Sequence, residues 1–137
     1  LSHEVVPAVN QIELHPFYQR RYDLQVMKNL GVVPMAWGPL AEGGHGIWTH
    51  PTLAAIGKKH GKTNAQVALR FNTQRGVVVI PKTTHRTRMA ENLAIFDFTL
   101  DQEDLSAIEA LDTGHTEIID HLNIDTVTFL NQYRIHD

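Results

Sequence analysis

Residues 77–93, "VVVIPKTTHRTRMAENL", run an apolar segment straight into hydroxyls and cations. Lys82, Thr83, Thr84, His85, Arg86 and Arg88 fall within seven positions, where a helix is about to begin. The formal net charge is −3, so this concentration of donors is local and not a general basic character. Cations and hydroxyls at a strand-to-helix junction suit an anion. The first-turn backbone N–H groups already point at it, and Arg88 adds a forked donor. Two earlier stretches end in groups of another kind. "VNQIELHP" offers Asn10, Gln11, Glu13 and His15, and "AWGP" offers Trp37, Gly38 and Pro39. An amide can read a carboxamide, an indole can stack on a flat ring, and the cations can hold a phosphate. The three groups together suit a nucleotide, provided the fold brings them to one side.

The elements that would do so alternate along the chain. Residues 6–14 form a short β-rich run closed by His15-Pro16. Residues 20–31 carry Leu24, Met27 and Leu30 at helical spacing, with Gly31 as a stop. Residues 32–38 predict the next strand. Its internal Pro34 is tolerable only if the missing donor lies near a strand end. In 50–61, Pro51 suits a first helical turn and Gly61 the position past the last. Thr63 to Gln66 is a capping box opening a helix that ends at Gly76. Residues 77–81 are continuously apolar, as in a parallel strand buried on both faces. A helix from about Thr87 to Ala94 follows. Residues 99–112 give another, with acids in its first turn and Leu105, Ile108 and Leu111 on one face. Three strands each followed by helix imply βαβ units and a parallel sheet. Ligands of such folds gather at the carboxyl ends of the strands, which is where the three chemical groups fall.

Composition narrows the setting. With 137 residues, 42% hydrophobic and 20% charged, the chain is ordinary globular material for one domain, 1–137. The weak net charge gives no pull toward nucleic acid or an anionic membrane surface, so neither is expected as a partner. No window approaches the roughly 18 apolar residues of a membrane span. The absence of cysteine removes disulfide and thiolate chemistry and fits a reducing, cytoplasmic setting. Leu1 is no initiator, and the opening residues read like the middle of a longer protein. "EGGHGIW" (42–48) lacks the GxGxxG spacing and reads as a mobile loop. His15, His45 and His50 lack metal-ligand spacing, so no metal is expected; His15 reads as a structural turn residue.

"VNQIELHP", "AWGPLAEG" and "VVIPKTTHRTRMAENLAIFDF" together resemble the carboxyl-terminal half of an aldo-keto reductase, nearest to the bacterial diketogluconate-reductase-like members. The resemblance runs from about Val6 to Gly114 in the family's order and spacing. It implies an α/β fold that is a partial (β/α)8 TIM barrel, namely the last three β/α units with a C-terminal helix and tail. A full barrel takes roughly 250 residues. The family reduces carbonyls with NADPH, so the implied cofactor is NADP(H) and the implied substrate of the intact enzyme a small carbonyl compound. Gln11 would bond the nicotinamide carboxamide, and Trp37 would stack on the nicotinamide where many members carry Tyr. Gly38, Pro39 and Leu40 would lie along the pyrophosphate. Lys82, Thr83 and Arg88 would hold the adenosine 2′-phosphate, and Glu91 and Asn92 would reach the adenine. The loop 42–48 would lie near the cofactor, and the tail 118–137 would carry the substrate-specificity segment. The family's catalytic Asp, Tyr, Lys and His belong to its amino-terminal half; no catalytic residue is therefore assigned, and these residues alone are expected to be inactive. A three-stranded open sheet leaves edges uncovered, which points to the missing amino-terminal half, or to self-association. The alternative is a non-catalytic nucleotide-binding or assembly module, a half-barrel comparable to a channel β-subunit-like member.

Overall fold

In the computed structural model, which describes residues 4–120 and 122–133, three strands form one parallel sheet. They are β1 (Val9–Glu13), β2 (Val33–Trp37) and β3 (Val78–Val79), in the order β1-β2-β3. Glu13 stands opposite Trp37, and Ala36 opposite Val79. All three strands therefore deliver their following residues to the same edge of the sheet. The helices are α1 (Arg21–Leu30), α2 (Pro51–His60), α3 (Asn64–Gln74), α4 (Arg86–Leu93), α5 (Gln102–Glu109) and α6 (Ile124–Gln132). None of these is long and apolar enough to cross a membrane. Residues 1–3, His121 and residues 134–137, the last two including part of the expected specificity tail, lie outside the described residues.

Pro34 sits inside the central strand without losing a ladder bond. The Val33 N–H points to β1, donating to the Ala8 carbonyl at 3.0 Å. Alternation turns the next donor position toward β3, where pairing begins only at Met35 and Val78. The helix signals hold closely. Gly31 and Gly61 close α1 and α2 in the left-handed conformation. Thr63 and Gln66 form both halves of the capping box on α3. A second box, Asp101 with Asp104, opens α5, where the sequence had suggested only acids favouring the dipole. Asp104 also ties α5 to α2, accepting from Lys59 Nζ at 2.8 Å and lying 2.7 Å from His60 Nε2.

The larger core lies among the helices and not on the sheet. Phe17, Ile47, Leu53, Val67, Phe71, Leu100 and Ile108 cluster there, with Leu105 and Leu111 packed against them. Fully burying side chains of this size contributes about 1.5–3 kcal/mol each. The sheet has only Leu14, Ala36 and Val77, backed by Ile12, Leu24 and Val79. This corrects the expectation for 77–81. Val77 is buried, but Val78 is 41% and Ile80 57% exposed, and the ladder is two residues long. Among the described residues no strand pairs with the far edge of β3; Val79 still packs on the sheet cluster, while Val78 and Ile80 meet open surface. Leu30 is likewise exposed, whereas Met27 on the same helix is buried.

Candidate functional site

Beyond β3 the chain passes Lys82 and Thr83 and enters α4, and this junction borders a cleft of about 350 Å³. Lys82, Thr83, Arg88, Glu91 and Asn92 line it from one direction and Leu40 from the β2 end. The first turn of α3 (Asn64, Ala65) with its cap Thr63 completes the lining. Thr83 Oγ1 accepts the His85 N–H at 3.1 Å and bends the chain into α4. No side chain caps α4 itself, so its first-turn N–H groups remain available to an anion. Gln66, buried on α3, fixes the far end of α4 by donating to the carbonyls of Glu91 (3.1 Å) and Ala94 (3.0 Å). Lys82 and Arg88 are exposed and enter no ion pair among the described residues. Two cations without an ion-pair partner among the described residues, the Glu91 carboxylate and the uncapped start of α4 thus face one volume. Chemically this arrangement suits an anion, with a polar, amide-bearing rim.

The loop between β2 and α2, expected to be mobile, closes another side and carries internal anchors. Ala41, Glu42 and His45 all adopt left-handed backbone angles, which the surroundings must hold in place. Ile47 is fully buried, and Asn64 Nδ2 donates to the carbonyls of Ile47 (3.0 Å) and His50 (3.1 Å). His45 pairs with Glu117 at 3.0 Å. Trp48 follows at the cleft with 54% of its surface exposed.

Gln11 and Trp37 line a second cleft, of about 350 Å³, at the ends of β1 and β2. Gln11 Nε2 reaches Met35 Sδ at 3.2 Å. Trp37 is half-buried, with an exposed part toward this cleft. The tail forms the opposite wall through Thr116, Ile119, Asp120 and Leu122, and buried Glu13 anchors it. The Glu13 carboxylate accepts from Thr116 Oγ1 (2.5 Å), the Glu117 N–H (2.9 Å), the Ile118 N–H (3.2 Å) and His15 Nε2 (3.1 Å). Burial would push this carboxyl up, but the bonds from Thr116, Glu117 and His15 outweigh burial and hold it below its ordinary value. His15 is pushed down, chiefly by burial, with Glu13 opposing. Its Nδ1 accepts the Phe17 N–H at 3.3 Å, which leaves the proton on Nε2 to serve Glu13. The turn role expected of His15 therefore includes orienting Glu13.

Six of the residues singled out from sequence share the first cleft: Leu40, Lys82, Thr83, Arg88, Glu91 and Asn92. Gln11 and Trp37 share the second. Between them Gly38 is covered by the tail. It has φ 61°, and a Cβ there would strike Ile118 Cδ1, so only glycine fits. Pro39, expected along the pyrophosphate, is buried and lines neither cleft. Sequence reasoning passed over Trp48, Asn64 and the Glu13–tail contact. An aromatic closing a glycine-rich loop was the available signal for the first. The other two join segments far apart in the chain.

Against known proteins, a family model for the Aldo/keto reductase family matches residues 47–113. An aldo-keto reductase of Mycolicibacterium smegmatis is 43% identical over 110 residues, 80% of this chain and 39% of that protein. Methylglyoxal reductase DkgA of Salmonella typhimurium is 41% identical over 110 residues, 80% of this chain and 40% of its own length. Morphine 6-dehydrogenase of Pseudomonas putida is 38% identical over 92% of this chain and 46% of its own length. An aldo-keto reductase from a deep-sea metagenome library superposes with TM-score 0.82 at 35% identity, over 90% of this chain and 46% of that one. Gox0644, solved in complex with NADPH, gives TM-score 0.77 at 40% identity, over 82% and 42%. The chain spans about two fifths of the length of the relatives it matches.

Proposed function

From a chain that belongs to the aldo/keto reductase family, we infer the cofactor-holding part of an NADP(H)-dependent carbonyl reductase. Its three β/α units are part of a (β/α)8 barrel, its 137 residues form one incomplete domain, and its working compartment is the cytoplasm. The observation that carries this reading is the cleft in which Lys82, Thr83, Arg88, Glu91 and Asn92 converge, with neither cation in an ion pair among the described residues. Homologous structures bound to NADPH and NADP support it. Lys82, Thr83 and Arg88 would take the 2′-phosphate, and Glu91 and Asn92 the adenine. At the other end Gln11 would hold the carboxamide and Trp37 one face of the nicotinamide. When bound, the cofactor supplies the hydride that reduces a small carbonyl compound. The chain's own work is to hold that ring against the wall made by Trp37 and the tail and to keep it from turning. The carbonyl oxygen also needs a proton. None of Tyr18, Tyr22 and Tyr133 lies in the family's catalytic tyrosine motif, so these residues alone should bind cofactor without turnover.

Cofactor titration tests the reading. NADP differs from NAD by one phosphate, so discrimination requires donors that only the phosphate can use. Charge-assisted bonds contribute roughly 1.5–3 kcal/mol each, or about 10- to 100-fold in affinity. Arg88→Ala should weaken NADP by about that factor and leave NAD nearly unchanged, with a smaller effect at high salt. Equal losses for both cofactors would make Arg88 a support of the fold and not a reader of the phosphate.

A further inference from the structure

Trp48 is a large apolar side chain left 54% exposed, yet one part of its ring is seated on the chain. Its indole lies against the backbone of Gly43: a Cβ there would come within 3.1 Å of Nε1 and 3.6 Å of two ring carbons. Gly43 itself has φ 84°, so glycine is required twice over, for its backbone angle and for the ring seated on it. The neighbouring left-handed residues Ala41, Glu42 and His45 and the Asn64 bonds fix the loop that carries it. With one side occupied by the loop, the rest of the indole faces the cleft that also holds Arg88, Glu91 and Asn92. Trp37 lies in the other cleft, toward the tail. An indole surface beside the Arg88 guanidinium, the Glu91 carboxylate and the Asn92 amide is the equipment for a flat, hydrogen-bonding aromatic base.

We propose that Trp48 is the stacking wall for the base at the adenosine end of the dinucleotide, so that the chain carries one tryptophan for each end of its ligand. This rests on the cofactor reading above. It deepens that reading by assigning base affinity to the loop and phosphate discrimination to α4. Loss of the indole must then weaken NADP and NAD alike, unlike loss of Arg88, because both cofactors carry the same base.

Two single-tryptophan proteins separate the ends. In Trp37→Phe, where Trp48 is the remaining reporter, adenosine 2′,5′-bisphosphate should quench fluorescence saturably and be displaced by NADP. Nicotinamide mononucleotide should leave that signal unchanged. In Trp48→Phe the remaining Trp37 should respond in the opposite sense. Calorimetry on Trp48→Ala should show both NADP and NAD weakened by about 10-fold or more, with Trp48→Phe recovering much of the loss. If calorimetry finds NADP bound while the Trp48 signal stays silent and Trp48→Ala binds normally, the stacking role is overturned and the cofactor reading stands. If neither dinucleotide binds the wild-type chain, both fall. Should Trp48→Ala not fold, the Trp37→Phe titration decides alone.

Discussion

At the scale of single residues, the two sites rest on opposite treatments of charge. Lys82 and Arg88 are exposed cations with no partner among the described residues, available to a ligand. Glu13 and His15 are buried, and their protonation is fixed by each other and by the tail. His15 lies below its ordinary 6.5, first because burial disfavours the imidazolium, with nearby His45 adding to that and Glu13 and Glu117 opposing. The unfolded chain takes up this proton as pH falls through about 6.5, while the folded chain resists it. The unfolded state then binds more protons, and stability falls. The His15 contribution is therefore complete above pH 6.5 and is lost on acidification toward its folded value. Glu13, held below its ordinary 4.5, adds a second loss at still lower pH. The midpoint of thermal unfolding should drop between pH 7 and pH 5, and His15→Asn should flatten that limb. Parallel pH profiles for wild type and variant would refute the assignment.

At the scale of elements, both clefts depend on segments that are not strands or long helices. The 41–50 loop is held by Asn64 and Ile47, and the 113–120 tail is held by Glu13, with Thr113 donating to the Phe17 carbonyl at 2.8 Å. Each brings a wall to one of the clefts. The tail hangs on one carboxylate that accepts two N–H groups and a hydroxyl. Glu13→Gln keeps the volume but replaces one acceptor oxygen by a donor and removes the charge. Hydrogen bonds to charged groups contribute roughly 1.5–3 kcal/mol, so amide exchange at Glu117 and Ile118 should speed up by about 10-fold or more. Exchange in α3 should change little. Uniform acceleration through α3 as well would mean that Glu13 supports the whole fold and not the tail.

At the scale of the molecule, the chain is well packed between its helices and poorly covered on its sheet. Val9, Val33, Val78 and Ile80 are between 41% and 57% exposed. β1 and β3 each leave one edge unpaired among the described residues. Such edges and apolar faces recruit further chain. The chain should therefore be found associated, either with the amino-terminal half of its barrel or with itself. Light scattering at micromolar concentration should report a mass above 15.5 kDa, falling toward one-to-one assembly when a polypeptide carrying the other half is supplied. A stable 15.5 kDa monomer would count against this.

Local signals settled local structure. Gly31, Pro51, Gly61 and the Thr63–Gln66 box set their helix ends within about a residue of the expected places, because propensity and capping act over one turn. The order of strand and helix, and hence the parallel sheet, was legible for the same reason. So was the convergence of Lys82, Thr83 and Arg88 on one cleft, since they lie close together in sequence. What sequence could not supply was every contact closed over a long loop. Glu13 meets the tail across some hundred residues, Asn64 reaches back to Ile47, and the Trp48 indole is seated by a loop whose backbone angles no composition rule sets. The burial of 77–81 was misread because apolar sequence records what a strand is suited to pack against. Only the tertiary structure decides whether that partner is there.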